Sequence, residues 1–151
     1  MKPPFCVSCI VPIERKILFV RHTYGVANGR ILIPGGYLQE GELPSQAAVR
    51  ELMEETGVTA VPTGLFSARC KGTQWILVFT MEYVSGEPRS DGHENSEVLL
   101  LRPKDAILRP DITNMSRSIM KAYIQNPDRI IPLSEEVPPT YDPTKYEFYG
   151  I

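Results

Sequence analysis

The chain is poor in the residues that cross-link or chelate: 151 residues hold only three cysteines, two histidines and one tryptophan. Cys6, Cys9 and Cys70 are too few for a disulfide framework and fit a reducing compartment. Cys6-Val7-Ser8-Cys9 has the spacing of a chelating or redox pair, but it lies in a run with strand character. Strand side chains three apart point to opposite faces, and no second pair completes a zinc site, so these thiols are expected in the core. Net charge is also small. Sixteen basic against 18 acidic residues leave −2 and a pI near 5.7, which argues against a broad nucleic-acid-binding surface but not against a small phosphate pocket. No apolar run approaches the length of a membrane span, and residues 1–5 lack the apolar segment of a secretory signal. No membrane partner is expected, and the chain is expected in the cytoplasm.

What is present concentrates between Gly36 and Val58. Pro44 suits a first helical turn and Gly57 a left-handed C-terminal position, so a helix is expected over 44–56. Glu51, Glu54 and Glu55 stand there at i, i+3 and i+4, three carboxylates on one face. Such a cluster is ordinarily a solvated acidic face. The alternative is that a hard divalent cation supplies the missing positive charge through oxygen ligands, including a nearby backbone carbonyl. Pro34-Gly35-Gly36 precedes the cluster. Two glycines in succession let backbone approach a ligand, and the Gly35 carbonyl is the candidate ligand.

The full spacing, Gly36-x5-Glu42-x7-Arg50-Glu51-Leu52-x-Glu54-Glu55-x-Gly57-Val58, resembles the box of the Nudix (MutT-like) hydrolases at every defined position. From residue frequencies a chance match in this chain is on the order of 10⁻⁷. The resemblance extends more loosely over residues 4–125. It implies an α/β/α sandwich with a mixed central sheet, and hydrolysis of a nucleoside diphosphate linked to another group by water activated on Mg²⁺ or Mn²⁺. Glu51, Glu54, Glu55 and the Gly35 carbonyl would hold the cation. Family habit adds a carboxylate from the loop before a late strand, as metal ligand or general base; Glu94 is the first choice and Glu97 the second. Either Glu51 or Glu94 would take the proton of the water. Arg50 projects about 100° from Glu51 on the helix, so it is badly placed as a ligand and well placed to pair with Glu42; its expected contribution to catalysis is architectural. Arg21, ending a strand, and Asn114, opening a helix, are candidate substrate contacts by family analogy, each matched by an ordinary structural reading. The competing functional reading is a Nudix-fold module that binds nucleotide without cleaving it; such modules tend to lose box carboxylates, and none is missing here. Nucleoside triphosphates, nucleotide sugars and ADP-ribose all stay open as substrate classes, since neither the proline nor the tyrosine that often marks a class beyond the box occurs at 72–75.

The rest of the chain reads as alternating elements. Strands are expected over 5–11, 16–21, 30–33, 58–61, 65–70, 74–84 and 98–101, with a loop over 85–97 and a helical turn over 103–108. From Asp111, expected as N-cap, Ile112, Met115, Ile119, Ala122 and Tyr123 form a helical apolar stripe, with Arg117 and Lys121 opposite and Pro127 as stop. Residues 1–126 then form one domain. The segment 127–151 carries four prolines that break regular structure, at 132, 138, 139 and 143, beside Tyr141, Tyr146, Phe148 and Tyr149. So many aromatics predict packing, either on its own domain or across a homodimer.

Overall fold

The computed structural model describes residues 4–151. Strand β1 (Phe5–Ile10) is an interior strand of a mixed sheet, antiparallel to β5 (Gly35–Tyr37) and parallel to β7 (Gln74–Ser85). Antiparallel β6 (Thr59–Lys71) and the short β9 (Ile131–Pro132) complete this sheet in the order β5-β1-β7-β6-β9. A second sheet is built on β3 (Lys16–His22), which pairs with β2 (Pro12–Ile13), β4 (Ile31–Leu32) and β8 (Asn95–Leu101). Glu14 and Arg15 join β2 to β3 with φ of 50° and 68°, the positive values that a two-residue hairpin loop demands. The Leu18 amide donates to the Val11 carbonyl, so the two sheets meet along one line.

Strand alternation makes this layer the centre of a sandwich. Val7, Cys9, Val11 and Leu18 are buried together with Ala47, Ala48 and Leu52 of helix α1 (Pro44–Thr56). Ile10, Ile17 and Phe19 face the other way, onto Ile119 and Met120 of helix α3 (Asn114–Gln125) and Ala106 of the short α2 (Pro103–Ala106). The expected α/β/α order holds, with a central layer made of two sheets rather than one. As alternation required, Cys9 and Cys6 face opposite ways, but the expected core position holds for Cys9 alone: it is fully buried on the α1 side, whereas Cys6 is only partly covered.

Several elements differ from the sequence expectation. The two short strands expected at 58–61 and 65–70 are one 13-residue strand, β6, because register shifts beside Ala60, between Pro62 and Gly64, and between Leu65 and Ser67 absorb the apparent breaks. Strand β8 starts at Asn95 rather than residue 98, through a bulge opposite Arg21 and His22. Thr113, not Asp111, caps α3 and accepts the Ser116 amide; Asp111 is taken up by Arg21 and Arg109. Arg117 does not face solvent but donates to the carbonyls of Ile107 and Arg109. The segment after α3 packs on its own chain: β9 pairs with β6, Ser134 N–H donates to Phe148, and Tyr149 lies 6.0 Å from Phe79, centroid to centroid.

Candidate active site

Helix α1 spans residues 44–56 as the sequence required, with Pro44 at its start and Gly57 closing it at φ 73°, its amide on the Met53 carbonyl. Ala47, Ala48 and Leu52 plug its apolar stripe into the core. That orientation fixes where the glutamates go. Glu51 and Glu55, one turn apart, are buried against β5, whereas Glu54 is exposed.

The glycine pair makes this burial possible. A Cβ on Gly36 would fall 2.3 Å from the carboxylate carbon of Glu51, so only glycine leaves that carboxylate its place. Opposite Gly35 on β1 is Ser8, and the flanking pairs exchange the hydrogen bonds, Cys9 N–H to Pro34 and Leu38 N–H to Phe5. Gly35 thus sits at a non-hydrogen-bonded position, with its amide and carbonyl turned away from β1. Its amide donates to Glu55 Oε2 at 3.3 Å.

Charge in this corner is unbalanced. Burial, followed by the neighbouring Glu51, pushes the Glu55 carboxyl up to about 9. Burial also raises Glu51, against the pull of Arg50. Beneath them the Cys9 thiol is pushed far up by burial and by both carboxylates, which makes it inert core. Arg50 grips Glu42 through two hydrogen bonds of 2.7 and 2.9 Å and donates to the Tyr37 carbonyl, tying the loop before α1 to the helix. Its guanidinium also reaches Glu51 at 2.9 Å and Glu54 at 3.3 Å. The 100° offset along the helix therefore did not keep Arg50 from the carboxylates, because the side chain is long enough to swing back.

Glu94 lines a cleft of about 920 Å³ together with Glu51, Glu54, Gly35 and Gly36. Its backbone carbonyl accepts from the Thr23 amide and hydroxyl. Asn95, next in the chain, is buried and donates its side-chain amide to the Glu55 carbonyl at 2.8 Å, which joins the Glu94 loop to the end of α1. The sequence reading overlooked Asn95; an amide beside a candidate carboxylate was the only available signal. At the outer end of the cleft Arg69 donates to Gln74 at 3.2 Å, and along its side the His22 and Tyr24 rings stack 5.2 Å apart.

Two expected substrate contacts are not brought to this cleft. Arg21 is held by Glu97 at 2.9 Å, Asp111 at 3.0 Å and the Gly29 carbonyl at 2.8 Å, which leaves it a structural ion pair. Glu97, the second choice for the loop carboxylate, is consumed in that pair. Asn114 is exposed at the first turn of α3 and does not line the cleft.

Among the described residues, no three carboxylate, imidazole or thiol groups converge closely enough to enclose an ion as they stand. The donor set nevertheless suits a hard divalent cation: it is all oxygen, and Glu55 is buried next to Glu51 with no cation of its own to hold it ionised.

The NUDIX domain family matches residues 2–123. The chain belongs to the Nudix family. Its fold agrees: a Nudix hydrolase from Nitrosomonas europaea superposes with a TM-score of 0.73 at 23% identity, over 83% of this chain and 72% of that one. A MutT protein from Methanosarcina mazei Go1 superposes with a TM-score of 0.70 at 18% identity, over 85% and 98%. Among sequence relatives, the phosphatase NudJ of Escherichia coli K12 is 44% identical over 63 residues. That alignment spans 40% of this chain and 39% of NudJ. No helix among the described residues is long and apolar enough to cross a membrane.

Proposed function

We propose that this chain is a Nudix hydrolase that cleaves the phosphoanhydride of a nucleoside diphosphate linked to a second group. The observation carrying this reading is the buried Glu51–Glu55 pair against Gly35 and Gly36, two carboxyl groups whose burial raises both and which only Arg50, on Glu51, balances. Glu51, Glu54, Glu55 and the Gly35 carbonyl would hold Mg²⁺ or Mn²⁺. A bound divalent ion there neutralises phosphate oxygens and lowers the pKa of water.

The residues of the chain divide the remaining work. Glu94 is the general base: its carboxylate has no hydrogen bond or ion pair among the described residues, whereas Glu51 is engaged by Arg50. Arg50 and Glu42 brace the loop, and Asn95 sets the reach of Glu94. The registers set Arg69 on β6 level with Tyr37 on β5, three strand spacings or about 14 Å away, a length that accommodates a nucleotide laid across the sheet. Arg69 and Gln74 then take the distal part of the substrate, in place of Arg21 and Asn114. The phosphatase name of the E. coli relative agrees with chemistry at phosphorus.

Glu54→Gln and Glu55→Gln test the assignment. Each is expected to lower kcat by two or more orders of magnitude while the melting temperature of the metal-free protein holds or rises. Near-normal turnover in either variant would sink it.

A further inference from the structure

At the start of helix α1 the Gln46 side chain accepts the Leu43 amide at 3.0 Å, but no N-cap side chain serves the first-turn amides. Leu43 occupies the N-cap position, where its side chain cannot accept a hydrogen bond from the first-turn amides. The missing acceptor comes from the other end of the chain. Glu147 accepts the Ser45 amide at 2.9 Å, takes the Ser45 hydroxyl with its second oxygen, and receives the Tyr149 hydroxyl. Tyr149 is itself anchored, its ring packed on Phe79 and on the cluster that buries Ala47, Ala48 and Leu52. A carboxylate at a helix N-terminus also meets the favourable end of the dipole. The final residues are therefore bonded to the first turn of the helix whose second and third turns carry Glu51, Glu54 and Glu55.

We propose that Glu147 is a positioning residue for the hydrolytic site, with residues 147–149 acting as a brace that fixes α1 so that its carboxylates meet one cation. The inference rests on the hydrolase reading for its effect on turnover, but its effect on metal binding and on α1 can be measured without turnover. Little slack exists between α1 and β5, because the Glu51 carboxylate already fills the space of the absent Gly36 Cβ. A tilt of the unbraced first turn consequently reaches the ligands.

The test compares the wild type with Glu147→Ala, Glu147→Gln and Tyr149→Phe by Mn²⁺ titration calorimetry, amide hydrogen exchange over residues 45–48, and steady-state kinetics at saturating metal. Glu147→Ala is expected to weaken Mn²⁺ binding and lower kcat by about tenfold each, the scale of supporting partners around metal ligands. KM should stay within twofold, and first-turn amides should exchange faster. Glu147→Gln, which keeps an acceptor for the Ser45 amide, should recover most of both. Tyr149→Phe retains the buried ring and should show a smaller loss, which keeps the test usable if Glu147→Ala fails to fold. Wild-type Mn²⁺ affinity and kcat in Glu147→Ala, or in Tyr149→Phe where Glu147→Ala does not fold, would overturn the brace even if exchange quickens. A wild type that binds Mn²⁺ but hydrolyses nothing defeats the hydrolase reading alone, and the brace is then judged on affinity and exchange.

Discussion

Substituting the two glycines of β5 separates catalysis from folding. In Gly36→Ala the new methyl would stand 2.3 to 2.5 Å from all three carboxyl atoms of Glu51. Ordinary contact requires about 3.5 Å, so the carboxylate must retreat by about 1 Å. It can do so by rotating its own side chain, leaving the pairing of Gly36 with Val7 intact. A displacement of that size in a group that must hold or orient reacting atoms costs on the order of 10²-fold in rate. Stability should change by less than about 1 kcal/mol, since the obstacle is the end of a flexible side chain. Gly35→Ala differs: its methyl would meet the Val7 carbonyl oxygen at 2.1 Å, a backbone atom that cannot swing aside. Strand β5 must then leave β1, at about 3 kcal/mol or more, which lowers the melting temperature by roughly 6–12 °C in a domain this size. Thermal melts and kcat for both variants provide the assay. A Gly36→Ala protein with kcat within threefold of wild type would refute the reasoning.

Further tests follow from charge. Glu55 titrates near 9 in the folded state against an ordinary 4.5, so between these values the folded protein holds the extra proton. The stability tied to that proton is complete below about 4.5 and is lost as pH rises through about 9. The metal-free melting temperature should therefore fall between pH 5 and pH 9, and Glu55→Gln should flatten the slope. For the same reason Mn²⁺ affinity should rise with pH over that window, as calorimetry would register. Arg21→Ala should lower stability by about 1–2 kcal/mol in urea melts through loss of two half-buried ion pairs, with KM unchanged; a raised KM would restore Arg21 to the substrate site. Glu94→Gln should reduce kcat by about 10²-fold or more in steady-state assays.

The box was legible because its residues act locally. Helix bounds and the Arg50–Glu42 pair depend on spacing within 20 residues, and the structure shows both, while the glutamates divide into buried Glu51 and Glu55 and exposed Glu54. Strand alternation likewise sorted Cys6 from Cys9. What stayed hidden depends on contacts distant in sequence. Asp111 has the composition of an N-cap, but Arg21, 90 residues away, and Arg109 claim it. Pro62 and Gly64 look like strand breaks until β7 supplies a partner that tolerates bulges. Glu147 carries no local sign of its bond to Ser45, 102 residues earlier. The further reach of Arg50 to Glu51 and Glu54 was not legible, because helical angles locate Cβ atoms, not the far ends of long side chains.

The most direct measurement is phosphate and pyrophosphate release from nucleoside triphosphates, nucleotide sugars, ADP-ribose and dinucleoside polyphosphates, with Mg²⁺, with Mn²⁺ and with EDTA. Turnover of one class that EDTA abolishes and Mg²⁺ or Mn²⁺ restores is the predicted result. Release of product that persists in EDTA, or no release from any substrate while a nucleotide still raises the melting temperature, would contradict the account.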